Sequence, residues 1–279
     1  MLTKKQILNT MEMAKNMRIN AIKMTNKSKA SHIGAILSVT DIVATCYNLV
    51  LNFDPTNVDD PKRDIFILSK GHSGVSVYCA LAEIGAIDKS DLDGYYQLGS
   101  NLSGHVSHKV NGVEFTTGSL GHGLSLAVGN AYHFKVNHLP NQVYVVMGDG
   151  ECDEGSVWEA IMLAVQLKVD NLHIIVDRNN MQALGWTKDI LNLNSLSNKF
   201  KAFNLNTIEC DGHNIEQLYD AMTTIEQNKP TAIIAHTTKG KGVSFMENQL
   251  LYHYRNPSDE DMKKAIYELE KEYEKNCRK

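Results

Sequence analysis

Asp149 stands between two glycines in Met147-Gly148-Asp149-Gly150-Glu151-Cys152-Asp153-Glu154-Gly155, and one strand-helix-strand passage later comes Val176-Asp177-Arg178-Asn179-Asn180-Met181. Glycine lets backbone N–H groups approach an anion closely, and the helix-forming run from Ser156 adds partial positive charge at its N-terminus. Phosphate suits such a place. Mg²⁺ takes hard oxygen ligands and commonly bridges one or two protein oxygens to phosphates, which the Asp149 carboxylate and the Asn179 side-chain carbonyl can supply. Gly-Asp-Gly alone is a common tight turn; the second segment, behind its own strand, makes a shared Mg²⁺-diphosphate site the better reading.

The elements needed to position these residues are legible around them. Val143 to Met147 and Leu172 to Val176 read as buried strands with a helix, Val157 to Leu167, between them. Asp149 and Asn179 then fall at the carboxyl ends of strands in one sheet, where open α/β sheets bind their ligands. Upstream, Thr3 can cap a helix reaching about Thr25, Thr40 to Leu51 forms a second, and Asp64 to Leu68 is the first strand. Helices follow at Ser73 to Ile84 and Gly121 to Asn137. Beyond the second metal segment come helix Ser195 to Phe203, strand Asn206 to Glu209, helix Asn214 to Glu226 and strand Thr231 to Ala235. Such alternation predicts an α/β fold with a parallel sheet flanked by helices. No linker or repeat divides the chain, so residues 1–257 read as one domain, followed by a helical tail over 258–279.

Composition narrows the function classes. A formal charge of -4, with Lys and Arg scattered, offers no basic field for nucleic acid. The five cysteines are odd in number, lack metal-ligand spacing and suit a reducing compartment. No apolar signal core opens the chain and no apolar run suggests a membrane span, so a cytoplasmic protein is expected.

Motifs spread over nearly the whole chain resemble the N-terminal half of a transketolase, and especially the separately encoded N-terminal subunits of split transketolases. They include Ser31-His32-Ile33-Gly34, Leu68-Ser69-Lys70-Gly71-His72, Ser103-Gly104-His105, Thr116-Thr117-Gly118-Ser119-Leu120-Gly121, Asp177-Arg178-Asn179, Asp211-Gly212-His213 and Thr238-Lys239-Gly240-Lys241-Gly242. The resemblance implies thiamine diphosphate and Mg²⁺ as cofactors, and transfer of a two-carbon ketol unit from a sugar or other ketose to an aldehyde. It also implies a partner: a C-terminal transketolase subunit supplying the pyrimidine-binding domain, in a heterotetramer.

Residue by residue, the resemblance makes His32, His72, His105 and His253 the catalytic histidines. His32 and His253 would handle the acceptor, His105 the donor's terminal hydroxyl, and His72 and His253 would also approach the diphosphate. Gly118 and Leu120 would contact the cofactor rings, Gly150 would offer a backbone N–H to the diphosphate, and the Met181 carbonyl would complete the protein's share of Mg²⁺ coordination beside Asp149 and Asn179. Glu154 and Glu159 match acidic residues between two cofactor sites, while a pair of charges favoured by a helix N-terminus is the plainer reading. Lys239 and Lys241 could meet the diphosphate or lie in a solvated loop. Helix Val157 to Leu167, through Trp158, Ile161, Met162 and Val165, is the candidate contributor to a dimeric core.

Several positions depart from the family pattern. The proline usual after His32 is Ile33, the one after His105 is Val106, the glutamine of the cofactor loop is His122, an aspartate after Asn179 is Leu184, and the glycine after His253 is Tyr254. Losing proline frees φ and alters how an imidazole is aimed. The departures keep two alternatives open: a transketolase-like carboligase subunit with a non-standard donor or acceptor, and a non-catalytic half that stabilises a partner.

Overall fold

The computed structural model describes residues 1–277. Helix α1 (Lys4–Ser28) begins with a capping box, in which the Thr3 hydroxyl and the Gln6 amide each satisfy the other's backbone N–H, and it ends on Lys29 in the left-handed region. The remaining elements are α2 (Ile33–Thr45), β1 (Ile65–Leu68), α3 (Val75–Ile84), α4 (His122–Val136), β2 (Val143–Gly148), α5 (Gly155–Gln166), β3 (Leu172–Arg178), α6 (Thr187–Ile190), α7 (Leu196–Ala202), β4 (Asn206–Asp211), α8 (Ile215–Thr223), β5 (Thr231–His236) and α9 (Asp259–Cys277).

The five strands form one parallel sheet in the order β1-β2-β3-β5-β4. Alternate side chains feed two cores. Phe66, Leu68, Tyr144, Val146, Ile175 and Ile233 point to the side covered by α1, α2, α3 and α8. Ile65, Ile67, Val145, Ile174, Val176 and Ile234 point to the side covered by α4, α5 and α7. Burial on both faces is why these strands read as unbroken apolar runs. The expected parallel α/β sheet is present, and its register aligns Gly148 with Asp177 and Asp177 with Ala235, so the loops after β2, β3 and β5 emerge side by side.

Two expectations need correction. Helix α2 begins at Ile33 and not at Thr40, and it passes into a π turn, Cys46–Val50. All its residues are buried and His32 at its N-cap makes no side-chain capping bond, so neither an amphipathic period nor a capping signal marked its start. The stretch Ile33–Val50 is also long and apolar enough to cross a membrane by length and composition, contrary to the reading that no run was; yet 83% of it is buried inside the fold, as a central core helix.

The C-terminal helix α9 lies against α1 and places Ala265 and Leu269 in the core. Its Glu268 accepts from the backbone N–H and hydroxyl of Ser244 at 2.7 and 2.9 Å. The last two residues of the expected tail, Arg278 and Lys279, lie outside the described residues.

Candidate active site

A cavity of about 250 Å³ opens at the carboxyl ends of β1, β2 and β3. The loop after β1 brings Lys70 and His72; the turns after β2 and β3 bring Gly148, Asp149 and Gly150, then Asn179 and Met181. His32 comes from the N-cap of α2, His105, Gly118 and Leu120 from the long β1-to-α4 connection, and Lys239 and His253 from beyond β5.

The oxygen-rich end is held by backbone donors. Asp149, 6% exposed, accepts from the N–H groups of Gly150 at 2.9 Å and Asn180 at 2.7 Å. Burial and the neighbouring Asp177 carboxylate push its pKa up to about 6, and among the described residues it has no ion-pair partner. Asp177 is fully buried and differently placed: it pairs with the Lys70 ammonium and accepts from the hydroxyls of Ser38 and Thr237. Burial opposes its charge, but Lys70 and these hydroxyls hold its pKa below the usual range. Asn179 donates through Nδ2 to Ser38 Oγ at 3.2 Å, which fixes the amide, and its Oδ1 accepts from Met181 N–H at 3.1 Å.

Among the described residues no cluster of three or more His, Cys, Asp or Glu forms a self-sufficient metal cage. One carboxylate, one amide oxygen and one backbone carbonyl form a hard-oxygen set that matches Mg²⁺ when phosphates provide the other ligands. Lys239 adds a second sign of an anion. Its side chain is 1% exposed, with Nζ 3.3 Å from the Met181 carbonyl, 3.4 Å from that of Gln182 and 3.0 Å from His253 Nδ1. No carboxylate among the described residues pairs with it; burial and then Lys70 lower its pKa to about 8. The Asp149 and Asp177 carboxylates offset this only from a distance, and a buried ammonium whose direct partners are dipoles gains most from an anionic ligand. The residues therefore fit a Mg²⁺-diphosphate group.

The opposite wall carries the histidines. Ring centroids lie 5.2 Å apart for His32 and His72, 5.1 Å for His32 and His253, 5.9 Å for His32 and His105, and 6.1 Å for His72 and His253. Burial lowers the pKa of His32 to about 4 and of His253 to about 3, with neighbouring cationic groups adding to it, and it lowers His72 and His105 as well. All four are neutral at pH 7, so each ring can donate from one nitrogen and accept at the other. His32 sits at φ 74°, unusual for a residue with a β-carbon, and its backbone is pinned by a 2.9 Å bond from its N–H to the His253 carbonyl. Where proline is absent, that bond and α2 supply the restraint.

Close backbone approach explains two glycines. A β-carbon on Gly71 would lie 2.3 Å from the Thr117 carbonyl oxygen, and one on Gly118 would press on the His105 ring at 3.1 Å. The turn carrying His72 can thus pass Thr117 only as glycine backbone, and Gly118 leaves the His105 ring its room.

Glu154 and Glu159 do not line the cavity; both are exposed, Glu154 at the N-cap of α5. Ile161 faces the chain's own core and Trp158 stacks on Phe203, so of the α5 residues expected at an interface Met162 is the fully outward one, joined by Leu163, each about half exposed. Lys241 also turns away, toward Glu272 on α9. His122 is exposed at the start of α4, Leu184 is exposed, and the Tyr254 ring lies 4.9 Å from His253. The Cys152 thiol is buried and pushed well above its ordinary pKa by burial and nearby carboxylates, an unreactive setting.

Three contributors escaped the sequence reading. Lys70 was visible inside Ser69-Lys70-Gly71-His72, and Asp177 as a charge ending an apolar strand, a place where a buried partner is needed. Glu151 has a structural part: it accepts from the Ser69 hydroxyl, from Gly121 N–H at 2.8 Å and from Gly148 N–H at 3.1 Å, tying three cavity loops together.

Comparison with known proteins identifies the family. Residues 9–275 match the family described as transketolase, thiamine diphosphate binding domain. The chain is 45% identical over 249 residues to one of the subunits of the apulose-4-phosphate transketolase of Actinobacillus succinogenes, covering 88% of this chain and 90% of that one. It is 40% identical to a 6-deoxy-6-sulfo-D-fructose transketolase subunit of a Clostridium species, with coverage of 88% and 90%. The solved transketolase of Campylobacter jejuni superposes with a TM-score of 0.86 at 28% identity, over 96% of this chain and 43% of that protein. The chain thus spans less than half the length of that single-chain enzyme and nearly all of the separate subunits. Sequence and fold together place it in the transketolase family, as a member of its thiamine diphosphate-binding domain.

Proposed function

We propose that this chain is the diphosphate-binding subunit of a two-component transketolase, transferring a two-carbon ketol unit from a ketose to an aldehyde. The observation that carries this reading is the meeting, in one cavity, of four neutral imidazoles with the oxygen set of Asp149, Asn179 and the Met181 carbonyl. When bound, thiamine diphosphate supplies the electron sink for breaking a carbon–carbon bond beside a carbonyl.

The protein's residues orient the reactants and handle protons. Asp149, Asn179 and the Met181 carbonyl hold Mg²⁺; Lys239 and His72 meet the diphosphate, and the Gly150 N–H, which in the chain alone is given to Asp149, turns to the diphosphate when it is bound. Gly118 and Leu120 line the place of the rings. His32 and His253 give and take protons at the oxygen of the acceptor, and His105 hydrogen-bonds the donor's terminal hydroxyl. Neutral rings suit this work because one imidazole can release a proton from one nitrogen and accept at the other.

Leu120, more than one-third exposed at the cavity rim, and the outward Met162 and Leu163 on α5 support completion of the site by a second polypeptide. That partner is the C-terminal subunit with the pyrimidine-binding domain, and Glu154 and Glu159 meet the assembly from α5. A heterotetramer with two sites, in the cytoplasm, follows from this reading. The relatives named for apulose 4-phosphate and a sulfonated fructose favour a specialised ketose carrying a terminal anion as donor. The changed neighbours of the histidines, Ile33, Val106 and Tyr254, are consistent with that choice.

The test is a two-carbon transfer assay on the chain mixed with its partner subunit, Mg²⁺ and thiamine diphosphate, comparing xylulose 5-phosphate with apulose 4-phosphate as donor. Product that disappears when either chain is omitted supports the two-component enzyme. Cofactor binding by the complex without transfer from any ketose would sink it.

A further inference from the structure

We propose that His213, outside the cavity, is a positioning residue that aims Lys239 at the diphosphate by holding the backbone of Thr238. His213 follows β4, and its Nε2 lies 2.9 Å from Thr238 N, while its Nδ1 lies 2.7 Å from Asp41 Oδ2. An amide can only donate, so Nε2 must carry the lone pair. The ring proton is therefore on Nδ1 and is given to Asp41, which fixes the tautomer.

Asp41 is itself locked. Arg18 of α1 binds it through two bonds, 2.9 and 2.6 Å long, and gives a third to the Leu37 carbonyl at 3.2 Å. The Arg18 guanidinium and the His213 bond hold the Asp41 carboxyl well below its usual range despite complete burial. A rigid line thus runs from α1 through α2 and His213 to the residue that precedes Lys239.

The downstream side of Lys239 is fixed separately. Gly240 N–H donates to the Gly34 carbonyl at 2.9 Å, and Asn248 N–H donates to the Lys239 carbonyl at 2.8 Å. The Lys239 stem lies where a β-carbon on Gly34 would be 3.3 Å away. With both flanks held, the ammonium has little freedom to leave the Met181 and Gln182 carbonyls and His253. Loss of the His213 acceptor would strand the Thr238 N–H and let the upstream flank shift.

This inference rests on the cavity being a thiamine diphosphate site, and the experiment separates the two. Binding of thiamine diphosphate with Mg²⁺ to the assembled complex is measured by calorimetry for the wild type and for His213→Phe, His213→Asn and His213→Gln, alongside apo melting temperature and sugar KM at saturating cofactor. Glutamine reaches the Nε2 position and can accept from Thr238; asparagine is too short and phenylalanine cannot accept. Cofactor affinity is expected to fall about tenfold or more in His213→Phe and His213→Asn, the size seen when an orienting partner is lost, with His213→Gln largely restored and sugar KM little changed.

Equal affinity in all four proteins, or losses that follow melting temperature with no rescue by glutamine, would overturn the proposal. Failure of the wild type to bind the cofactor would instead remove the reading of the cavity, and the proposal with it. A measurement that needs no variant to fold is nitrogen NMR on ¹⁵N-histidine-labelled complex: the Nδ1–H tautomer at His213 is expected, and an Nε2–H tautomer or an imidazolium would refute the role.

Discussion

The Lys239 ammonium lies 3.0 Å from Nδ1 of His253, and no carboxylate among the described residues pairs with it. A buried cation left to carbonyls and a neutral imidazole is poised for an anion, and it also helps keep His253 neutral, since burial and then Lys239 lower that ring's pKa. Lys239→Met keeps the stem's bulk and removes the charge. Cofactor affinity in the complex should fall by about tenfold to a hundredfold, the worth of a hydrogen bond to a charged group, while the apo chain becomes no less stable because an unpaired buried charge has gone. Calorimetric titration and thermal melting check both halves; a destabilised apo protein with unchanged affinity would show that Lys239 serves the fold.

Asp149 and Asp177 are both buried carboxylates, but only Asp177 has its own lysine. Asp149→Asn should therefore relieve repulsion in the apo chain and leave its melting temperature equal or higher, while Mg²⁺-dependent retention of thiamine diphosphate through gel filtration is lost. Asp177→Asn should do the reverse to stability, stranding the buried Lys70 at a cost on the order of 3–5 kcal/mol. Retention and turnover unchanged in Asp149→Asn and in Asp149→Ala would remove the metal assignment.

His72 is half-buried beside His32 and His253, and its ring lines the cavity. His72→Ala should lower kcat/KM by on the order of 10² or more, the usual contribution of a group that moves a proton or stabilises developing charge. His72→Asn, which keeps one polar arm, should recover part of it. A loss below about threefold would mean that the ring only fills space.

The strands and their loops were legible because burial on both faces writes β1, β2, β3 and β5 as continuous apolar runs, and because Gly148-Asp149-Gly150 and Asn179 stand directly at strand ends. The start of α2 was not, since a helix buried on every side shows no period and His32 enters it without a capping bond. Lys70 and Asp177 stand inside recognisable motifs, but a pair formed across 107 residues leaves no local signature. The same holds for His213: its place in Asp211-Gly212-His213 looked like a turn, and only the fold sets it between Asp41 and Thr238. Outwardness on α5 depends on a rotation that sequence leaves loose, so Ile161 is expected on the outer face where the fold instead exposes Met162 and Leu163.

His173 in β3 offers a pH prediction outside the catalytic cavity. Its ring is fully buried, stacks on Tyr144 with centroids 4.5 Å apart and meets Gln142 Oε1 at 3.2 Å, while its Nδ1 has no hydrogen-bond partner among the described residues. Burial lowers its pKa from 6.5 to about 4, so the folded chain keeps the ring neutral where the unfolded chain binds a proton. Stability from this group is complete above the unfolded value of 6.5 and declines as pH falls toward 4. The decline amounts to on the order of 3 kcal/mol, taking about 1.4 kcal/mol per pKa unit. His173→Phe preserves the stacked ring and cannot titrate, so its melting temperature should fall less steeply than the wild type's across that interval. The cavity histidines, lowered in the same direction, remain in both proteins and cancel in the comparison. Parallel acid limbs for the two proteins would show that His173 is protonated alike in both states and that burial does not govern it.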